Sequence, residues 1–583
     1  MQPQSQNSTS GLYQIPFLVG ITGHRDLVAA EVPQIRAELR RLLLTLQERA
    51  PQVRIQLLSA LAEGADLLAS DVALDLGMGV IALLPFEAGQ CRAELKTDAA
   101  RASFDRALAQ AERVELPGAT GAARSRQFQR AGTVVARYSS LLIAVWNGAA
   151  TPHPAGTARV VDLRRRGLPP PQQDREPRAD PLLGASGNDL LYEIRCSRVS
   201  APAEPGARVS APGFSAGSIA LGSLERGLPS ALCTLLERTG AFNRDVIEYG
   251  GRIATHGRRL SSPTPFATPE SLLYMDRLFV AADWLGVYFR RCYTRALRAR
   301  YALWALLAFL LLAFKKEHDS RFGLASIVGV LIIFGLGGLL ARWAHRRSWQ
   351  RRYLDYRALA EGLRVDFFWE LAGVRARFEE EFAHESFLQS QDEELEWIRA
   401  AMRAVSLRCA MLPAEQTPHG FAQAFAGWIG EAHPTSGAGQ LQYYRARATQ
   451  LARRQEIAEG SARCMLFGGL AVGVLLAVDA ACRQYSHALL PDSWTGALLW
   501  ALALLTVYGA IFEIYLGEKA DRALIRQYRY MDSLFSFAAQ ELRSARSDAD
   551  KLEILRSLGH ACLAEHAEWI LAHRDKRIEG MRW

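Results

Sequence analysis

The chain has 583 residues, 49% of them hydrophobic and 22% charged, with a formal net charge of +9. That length is too great for one ordinary domain and implies two or three folded regions. A basic balance suits nucleic acid or a membrane surface, and without zinc-finger or RNA-binding signatures or an arginine-rich recognition helix the membrane is the better reading.

The arginines support the second. They flank apolar runs, as Arg290, Arg291, Arg295, Arg298 and Arg300, then Arg342, Arg346, Arg347, Arg351 and Arg352. Eight cysteines are scattered without a CxxC pair, which argues against a zinc site or a disulfide framework and fits a reducing cytoplasm. The opening MQPQSQNSTSGLYQIP is polar, so no signal peptide is expected and residues 1–12 read as a loose tail.

From residue 13 to about 165, strands and helices alternate. Phe17 to Ile21 reads as a buried strand, Pro33 to Arg49 as a helix, Val53 to Leu58 as a strand and Gly64 to Leu76 as a helix. Gly79 to Leu84 is a third strand, Phe104 to Ala111 helical, Arg113 to Leu116 a short strand and Gln127 to Ser139 a helix. Ser140 to Val145 is another strand, and Gly156 to Arg166 begins the next helix. This rhythm predicts an α/β, doubly wound, mostly parallel sheet of Rossmann-like type, with ligands outside the carboxyl ends of the strands.

Three strand ends carry the same chemistry. At the first, Gly20-Ile21-Thr22-Gly23-His24-Arg25, glycines permit close backbone approach and Thr22 and Arg25 can hold a phosphate. His24, alone in that turn, reads as a phosphate contact or a capping group. The second, Ser59 through Glu63 and Gly64 to Asp66, opens a helix whose free N–H groups suit an anion. The third is Trp146-Asn147-Gly148, with Gly156-Thr157 starting the helix that follows. Each alone fits an ordinary tight turn. Three at consecutive crossovers point to phosphate or nucleotide binding.

The strings GITGHRDL, LLSALAEGADLLASDVALDLGMGVIALLPF and LLIAVWNG, with GTARVVDLRRRG downstream, resemble the SLOG superfamily. That group includes the Lonely Guy hydrolases, DNA-processing protein A and the cytosolic domain of melastatin-type TRP channels. The resemblance covers residues 16 to about 170 and implies a Rossmann-like domain that binds a nucleotide or a nucleotide-derived signal, with no metal. It also implies contacts at Gly20, Thr22, Gly23, Arg25, Ser59, Glu63, Gly64, Gly148, Gly156 and Thr157. The hydrolase branch carries PGGxGTxxE. This chain has Val160 at the final position and no preceding PGG, so the resemblance favours sensing over cleavage.

Residues 168–214 turn to Pro, Gly, Ser, Ala and Arg and read as a loop or linker inside a domain of residues 13–215. Asp189 to Arg195 is expected to rejoin the sheet. Ser230 to Glu248 and Pro269 to Arg300 read as helices of a connector, residues 216–300. The second of these is amphipathic and runs into the first of four apolar segments: Tyr301–Phe314, Gly323–Ala341, Cys464–Val478 and Gly496–Phe512. A spanning helix needs about 20 mainly apolar residues. The second and fourth qualify outright; the first and third need snorkelling arginines or extension through Ala480 and Ala481. Short connections predict two transmembrane hairpins, 301–341 and 464–512, separated by a cytoplasmic helical region (342–463) and followed by C-terminal helices (513–583).

Arginine and lysine crowd the outer flanks of both hairpins, so both termini are expected in the cytoplasm of a bacterial cell, with the chain in its inner membrane. The segment Arg352-Tyr353-Leu354-Asp355-Tyr356-Arg357, echoed by Arg526-Gln527-Tyr528-Arg529-Tyr530, resembles the SLATT family of two-span modules found beside SLOG sensors in bacterial conflict systems. Asp479 and Glu513 are acids at the ends of spans, candidates for a pore lining or an interface. No HExxH or P-loop string occurs. The expected protein is a nucleotide-sensing membrane effector in anti-phage defence. Its expected partners are the lipid bilayer, a nucleotide ligand, further copies of itself and a separately encoded signal-producing enzyme. A membrane-tethered hydrolase of the Lonely Guy type is the alternative.

Overall fold

The computed structural model describes residues 13–116, 124–149, 156–166, 190–200, 211–216, 219–261, 269–316, 321–374, 395–411, 419–430, 439–485, 489–519 and 521–574. The predicted tail and most of the predicted insert lie outside these residues. The chain forms two compact units, neither continuous in sequence. Residues 1–285, 355–423 and 555–583 make the first; residues 286–354 and 424–554 make the second.

The first unit is built on an eight-stranded sheet. Its strands are β1 (Phe17–Gly23), β2 (Ile55–Ser59), β3 (Gly79–Leu84), β4 (Glu112–Glu115), β5 (Leu141–Trp146), β6 (Leu190–Arg195), β7 (Gly213–Ala216) and β8 (Ile219–Gly222). Their spatial order is β4-β3-β2-β1-β5-β6-β7-β8. The first six run parallel, and β7 and β8 add an antiparallel ribbon. The chain steps outward from β1 to β4, then returns to lay β5 against the other side of β1. β2 and β5 are buried throughout and β1 all but its last residue, as expected where helices cover both faces of a parallel sheet. The edge strand β4 alternates charged Glu112, Arg113 and Glu115 with buried Val114.

The helices α1 (Val32–Arg49), α2 (Ala65–Asp75), α3 (Ala88–Ala93), α4 (Asp98–Gln110), α5 (Arg124–Tyr138) and α6 (Thr157–Arg166) follow the strands. α1 buries Ile35, Leu39, Leu42, Leu43 and Leu46, a stripe at helical spacing, each contributing roughly 1.5–3 kcal/mol by burial. Two glycines of β1 show how the helices divide. A side chain at Gly20 would meet Ser139 and Val135 at the end of α5, whereas one at Gly23 would meet Ala65 of α2. Positions three apart on a strand face opposite sides, so α2 and α5 lie on opposite faces of the sheet.

All-helical chain completes this unit. Buried Asn243 of α7 (Ser230–His256) donates to the carbonyl of Ile15 at 2.9 Å and accepts from its N–H at 2.9 Å, tying the helix to the start of β1. In chain order come α8 (Glu270–Lys316), which belongs to this unit as far as Leu285, α9 (Arg321–Arg347), which belongs to the second unit, α10 (Trp349–Ala372), which belongs to this unit from Asp355, and α11 (Glu396–Met411). From Asp355 onward α10 is buried on nearly all sides, and Tyr356 donates to Asp245 at 2.5 Å. α11 is likewise enclosed, and its Arg408 reaches Glu112 on β4 at 3.1 Å.

After the short α12 (Gly420–Ala424) and a π-helical turn at Phe425–Ile429, the chain enters α13 (Gln440–Tyr485), α14 (Asp492–Lys519), α15 (Asp521–Ser544) and α16 (Asp548–Arg574). Within the second unit, α13 and α14 pack antiparallel through small residues: Gly469 meets Thr506, Gly473 meets Leu502 and Gly509 meets Leu466. Tyr301 and Phe309 of α8 pair with Tyr515 and Trp500 of α14, ring centroids 5.3 and 6.1 Å apart. α15 lies antiparallel to α13, with Arg445 to Asp532 at 3.2 Å and Arg522 to Glu459 at 2.7 Å.

Four helices are long and apolar enough to cross a membrane, within Glu270–Phe314, Gly323–Ala372, Gln440–Gln484 and Trp494–Ser544. At most 17% of any apolar window is buried. Leu331, Phe334, Leu339, Phe467 and Leu470 therefore face outward in numbers that water does not tolerate but lipid does. The first and third apolar segments belong to helices of 47 and 46 residues. Their shortness in sequence reflects arginines on continuous helices, not helix ends.

Candidate functional site

The carboxyl ends of β1 and β5 meet where the strand order turns back, the place at which parallel sheets open a crevice. His24 stands in it. Its backbone N–H donates to Val145 at 3.0 Å and its carbonyl accepts from Ala65 at 3.1 Å, so the β1 end is tied to both β5 and α2. Its Nε2 lies 3.0 Å from the N–H of Asn147 and 3.1 Å from the Asn147 side-chain oxygen. Burial lowers the His24 pKa, partly offset by the Asn147 side chain. A neutral ring with Nε2 as acceptor satisfies the backbone N–H.

The second strand end is closed upon itself. Gly64 sits at φ +89°, and a side chain there would lie 2.4 Å from the His24 carbonyl. Ser59 is fully buried, its hydroxyl accepting from Leu61 at 3.1 Å. Glu63 accepts from the Lys96 N–H at 3.0 Å and the Thr97 hydroxyl at 3.2 Å, fastening the loop before α4. Asp66 turns its carboxylate into the loop's own N–H groups at Ala62 and Ala60. Burial pushes its pKa up to about 7 against the pull of Arg25 and those amides.

Gly23 is also a packing residue, since a side chain would meet Ala65 at 2.3 Å and the Val145 carbonyl at 2.8 Å. Gly20 serves α5 in the same way, and Thr22 is buried. Gly156 accepts from Arg159 and Val160 to open α6, whose first residue is Thr157. Val160 is buried, in van der Waals range of Gly132 on α5.

The side chains around the crevice are cationic and aromatic. Arg25, half exposed, lies over Phe128 at 4.6 Å and reaches Glu94 at 3.8 Å. Arg124 lies over Phe86 at 4.9 Å and pairs with the same Glu94, and the two phenyl rings meet edge to face at 5.3 Å. On the other side, Trp146 donates its indole N–H to Glu193 at 2.9 Å. Arg195 stacks on that ring at 5.0 Å and Arg165 at 5.8 Å, both paired with Glu193. Gly148, at φ +82°, leaves room for the Arg195 guanidinium, whose Nη1 occupies the place of a side chain.

Phe86 and Arg195 follow from the same rule that selected Arg25, being at or just beyond parallel-strand ends. Arg124, Phe128, Arg165 and Glu94 come from helices and nearby turns and carry no motif. Two hollows lie elsewhere: about 520 Å³ at the amino ends of β2 and β3, beside Arg54 and Gln52, and about 720 Å³ along α13, beside Arg445, Arg453 and Arg454. Neither gathers a reactive set. Among the described residues no group of three His, Cys, Asp or Glu could hold a metal ion.

In the second unit, Asp479 is buried and accepts from the N–H groups of Leu489 and Leu490 at 2.8 and 2.9 Å and from Arg483 at 2.7 Å. Arg483 in turn donates to the Leu490 carbonyl at 2.7 Å. Asp479 thus locks the turn between α13 and α14, whereas Glu513 is exposed on α14. No protein-family model and no curated protein matches the chain.

Proposed function

We propose that this protein is a nucleotide-sensing membrane effector. In this reading the first unit is a Rossmann-like, SLOG-type sensor, and the four apolar helices form two SLATT-like transmembrane hairpins in a bacterial inner membrane. Both termini lie in the cytoplasm, and several copies assemble around a pore or membrane lesion opened by the ligand during phage infection. The observation that supports it most is the joining, in one chain, of a cationic, aromatic crevice at the β1/β5 reversal with four outward-facing apolar helices.

Val160 weighs against the Lonely Guy-type hydrolase. A group packed on Gly132 between α5 and α6 is not presented to the crevice, and no other carboxylate follows Gly156-Thr157 at that spacing. Coupling to the membrane is assigned to α8, one uninterrupted helix from Glu270 to Lys316. A ligand shifts such an equilibrium only by its differential affinity for the two states, typically ~1–3 kcal/mol. The test uses full-length protein in liposomes loaded with a self-quenched dye. Small-molecule extract from phage-infected bacteria should release dye through the wild type and not through Arg25→Ala. Equal leakage without extract, or in the variant, would refute the reading.

A further inference from the structure

The carboxyl edge of the sheet carries two constellations of the same composition. On the β1/β3 side, Arg25 and Arg124 share Glu94 and stack on Phe128 and Phe86. On the β5/β6 side, Arg165 and Arg195 share Glu193 and both lie against the Trp146 ring. Each has two guanidiniums to one shared carboxylate; Asp66 also acts on Arg25, and burial raises its pKa to about 7, so it adds little negative charge below that pH. Each guanidinium is held by an aromatic ring and a carboxylate oxygen, so the two groups cannot converge on one small anion.

The spacing fits that separation. β1 and β6 have β5 between them, so the strand ends bearing Arg25 and Arg195 are two strand spacings apart, roughly 10 Å. Between them sits the His24–Asn147 pair, polar but without net charge. We propose that these are two matched anion-binding lobes and that the ligand is a dinucleotide, with one phosphate in each lobe and a sugar over His24 and Asn147. This rests on the nucleotide-sensing reading and narrows it from nucleotides in general to those with two separated phosphates. Arg195, whose Nη1 lies over Gly148, is the specificity residue of the second lobe. A guanidinium offers five N–H donors, and Glu193 is already shared among Trp146, Arg165 and Arg195, leaving donors on Arg195 for a phosphate.

The experiment is calorimetry on the full-length protein in detergent. The probes are the four nucleoside 5′-monophosphates, the matching 5′-phosphorylated linear dinucleotides and the cyclic dinucleotides. The wild type should bind at least one dinucleotide about 30-fold more tightly than its monophosphate, because the second lobe acts on an already tethered group. Arg25→Gln and Arg195→Gln should each weaken that dinucleotide at least about tenfold, and Arg195→Lys should recover part of the loss. Circular dichroism checks each fold. If Arg195→Gln fails to fold, Arg165→Gln, altering a residue near the surface, tests the same lobe. A monophosphate bound as tightly as its dinucleotide, or an affinity unchanged in either lobe's variant, would overturn the two-lobe assignment while leaving nucleotide sensing standing. Failure of every probe to bind the wild type would overturn both.

Discussion

Asp66 is the residue whose replacement should speak most directly. Its carboxyl is enclosed at the start of α2 and its pKa is raised from 3.8 to about 7, chiefly by burial, with Arg25 and the Ala62 and Ala60 amides opposing. A carboxyl whose pKa rises on folding binds its proton more tightly folded than unfolded. Its contribution is therefore most favourable below pH 3.8 and is lost as pH climbs through 7. A shift of about three pKa units corresponds to roughly 4 kcal/mol, spread over that window, as an upper limit for this buried group. Asn keeps an oxygen for the loop amides and cannot ionise, so Asp66→Asn should remove the pH dependence and stabilise the β2–α2 turn above pH 7. Hydrogen exchange of the Ala65–Asp75 amides in the full chain, corrected for intrinsic rates, is the assay. Wild-type protection should fall from pH 5.5 to pH 8 while the variant stays level. Parallel curves for the two proteins would show that Asp66 is not the buried acid described.

Gly64→Ala places a side chain at φ +89° and 2.4 Å from the His24 carbonyl, and should cost at least ~3 kcal/mol in thermal unfolding. Gly77→Ala, at φ +71° with nothing within 4 Å, should cost about 1 kcal/mol, and equal losses would refute the close-approach argument. Asp479→Ala frees two amides and Arg483 at the α13–α14 turn and should cost roughly 2–3 kcal/mol. Glu513→Gln should leave stability unchanged, and a fall in its melting temperature equal to that of Asp479→Ala would contradict the different roles given to them. In a cysteine-free background, Leu489→Cys should react with an impermeant maleimide from outside the cell and Ser547→Cys only after permeabilisation; the reverse pattern would invert the positive-inside orientation.

The sequence was readable wherever burial writes a simple period. β1, β2, β3, β5 and β6 are largely apolar runs, and each of β1 to β6 starts within two residues of its predicted start. β7 and β8 escaped because GFSA and IALG are four-residue strands of mostly small side chains beside Pro- and Gly-rich chain. Their pairing is set by β6, which the local sequence does not contain. The longer-range surprise is α10. Asp355, Glu361, Arg364 and Asp366 suggest a solvated stalk, yet all four are buried. Arg364 reaches Glu361 at 2.6 Å and Arg357 reaches Asp283 at 3.4 Å, so part of this charge is paired inside the first unit. Charge alone does not tell a wet face from a paired one.

The candidate site divides along a physical line. The small and turn-forming residues picked from the strand ends, Gly20, Gly23, Ser59 and Gly64, are occupied with the protein's own backbone: they let α2 and α5 approach β1 or bind the loop that carries them. A turn that must come within van der Waals contact of another strand selects glycine as strongly as one that cradles a phosphate. In a sequence the two look alike. The groups that can still meet a ligand are those whose charge exceeds what their neighbours cancel, and that surplus is a property of three-dimensional neighbours. Arg25 was visible because it follows a strand. Arg195, at the end of β6, follows from the same rule, whereas Arg124 and Arg165 became a pattern only once Glu94 and Glu193 were seen to be shared, each between two arginines. If binding survives the loss of those surplus charges but not of Asp66 or Ser59, the crevice works through its backbone after all, and the glycines were the better guide.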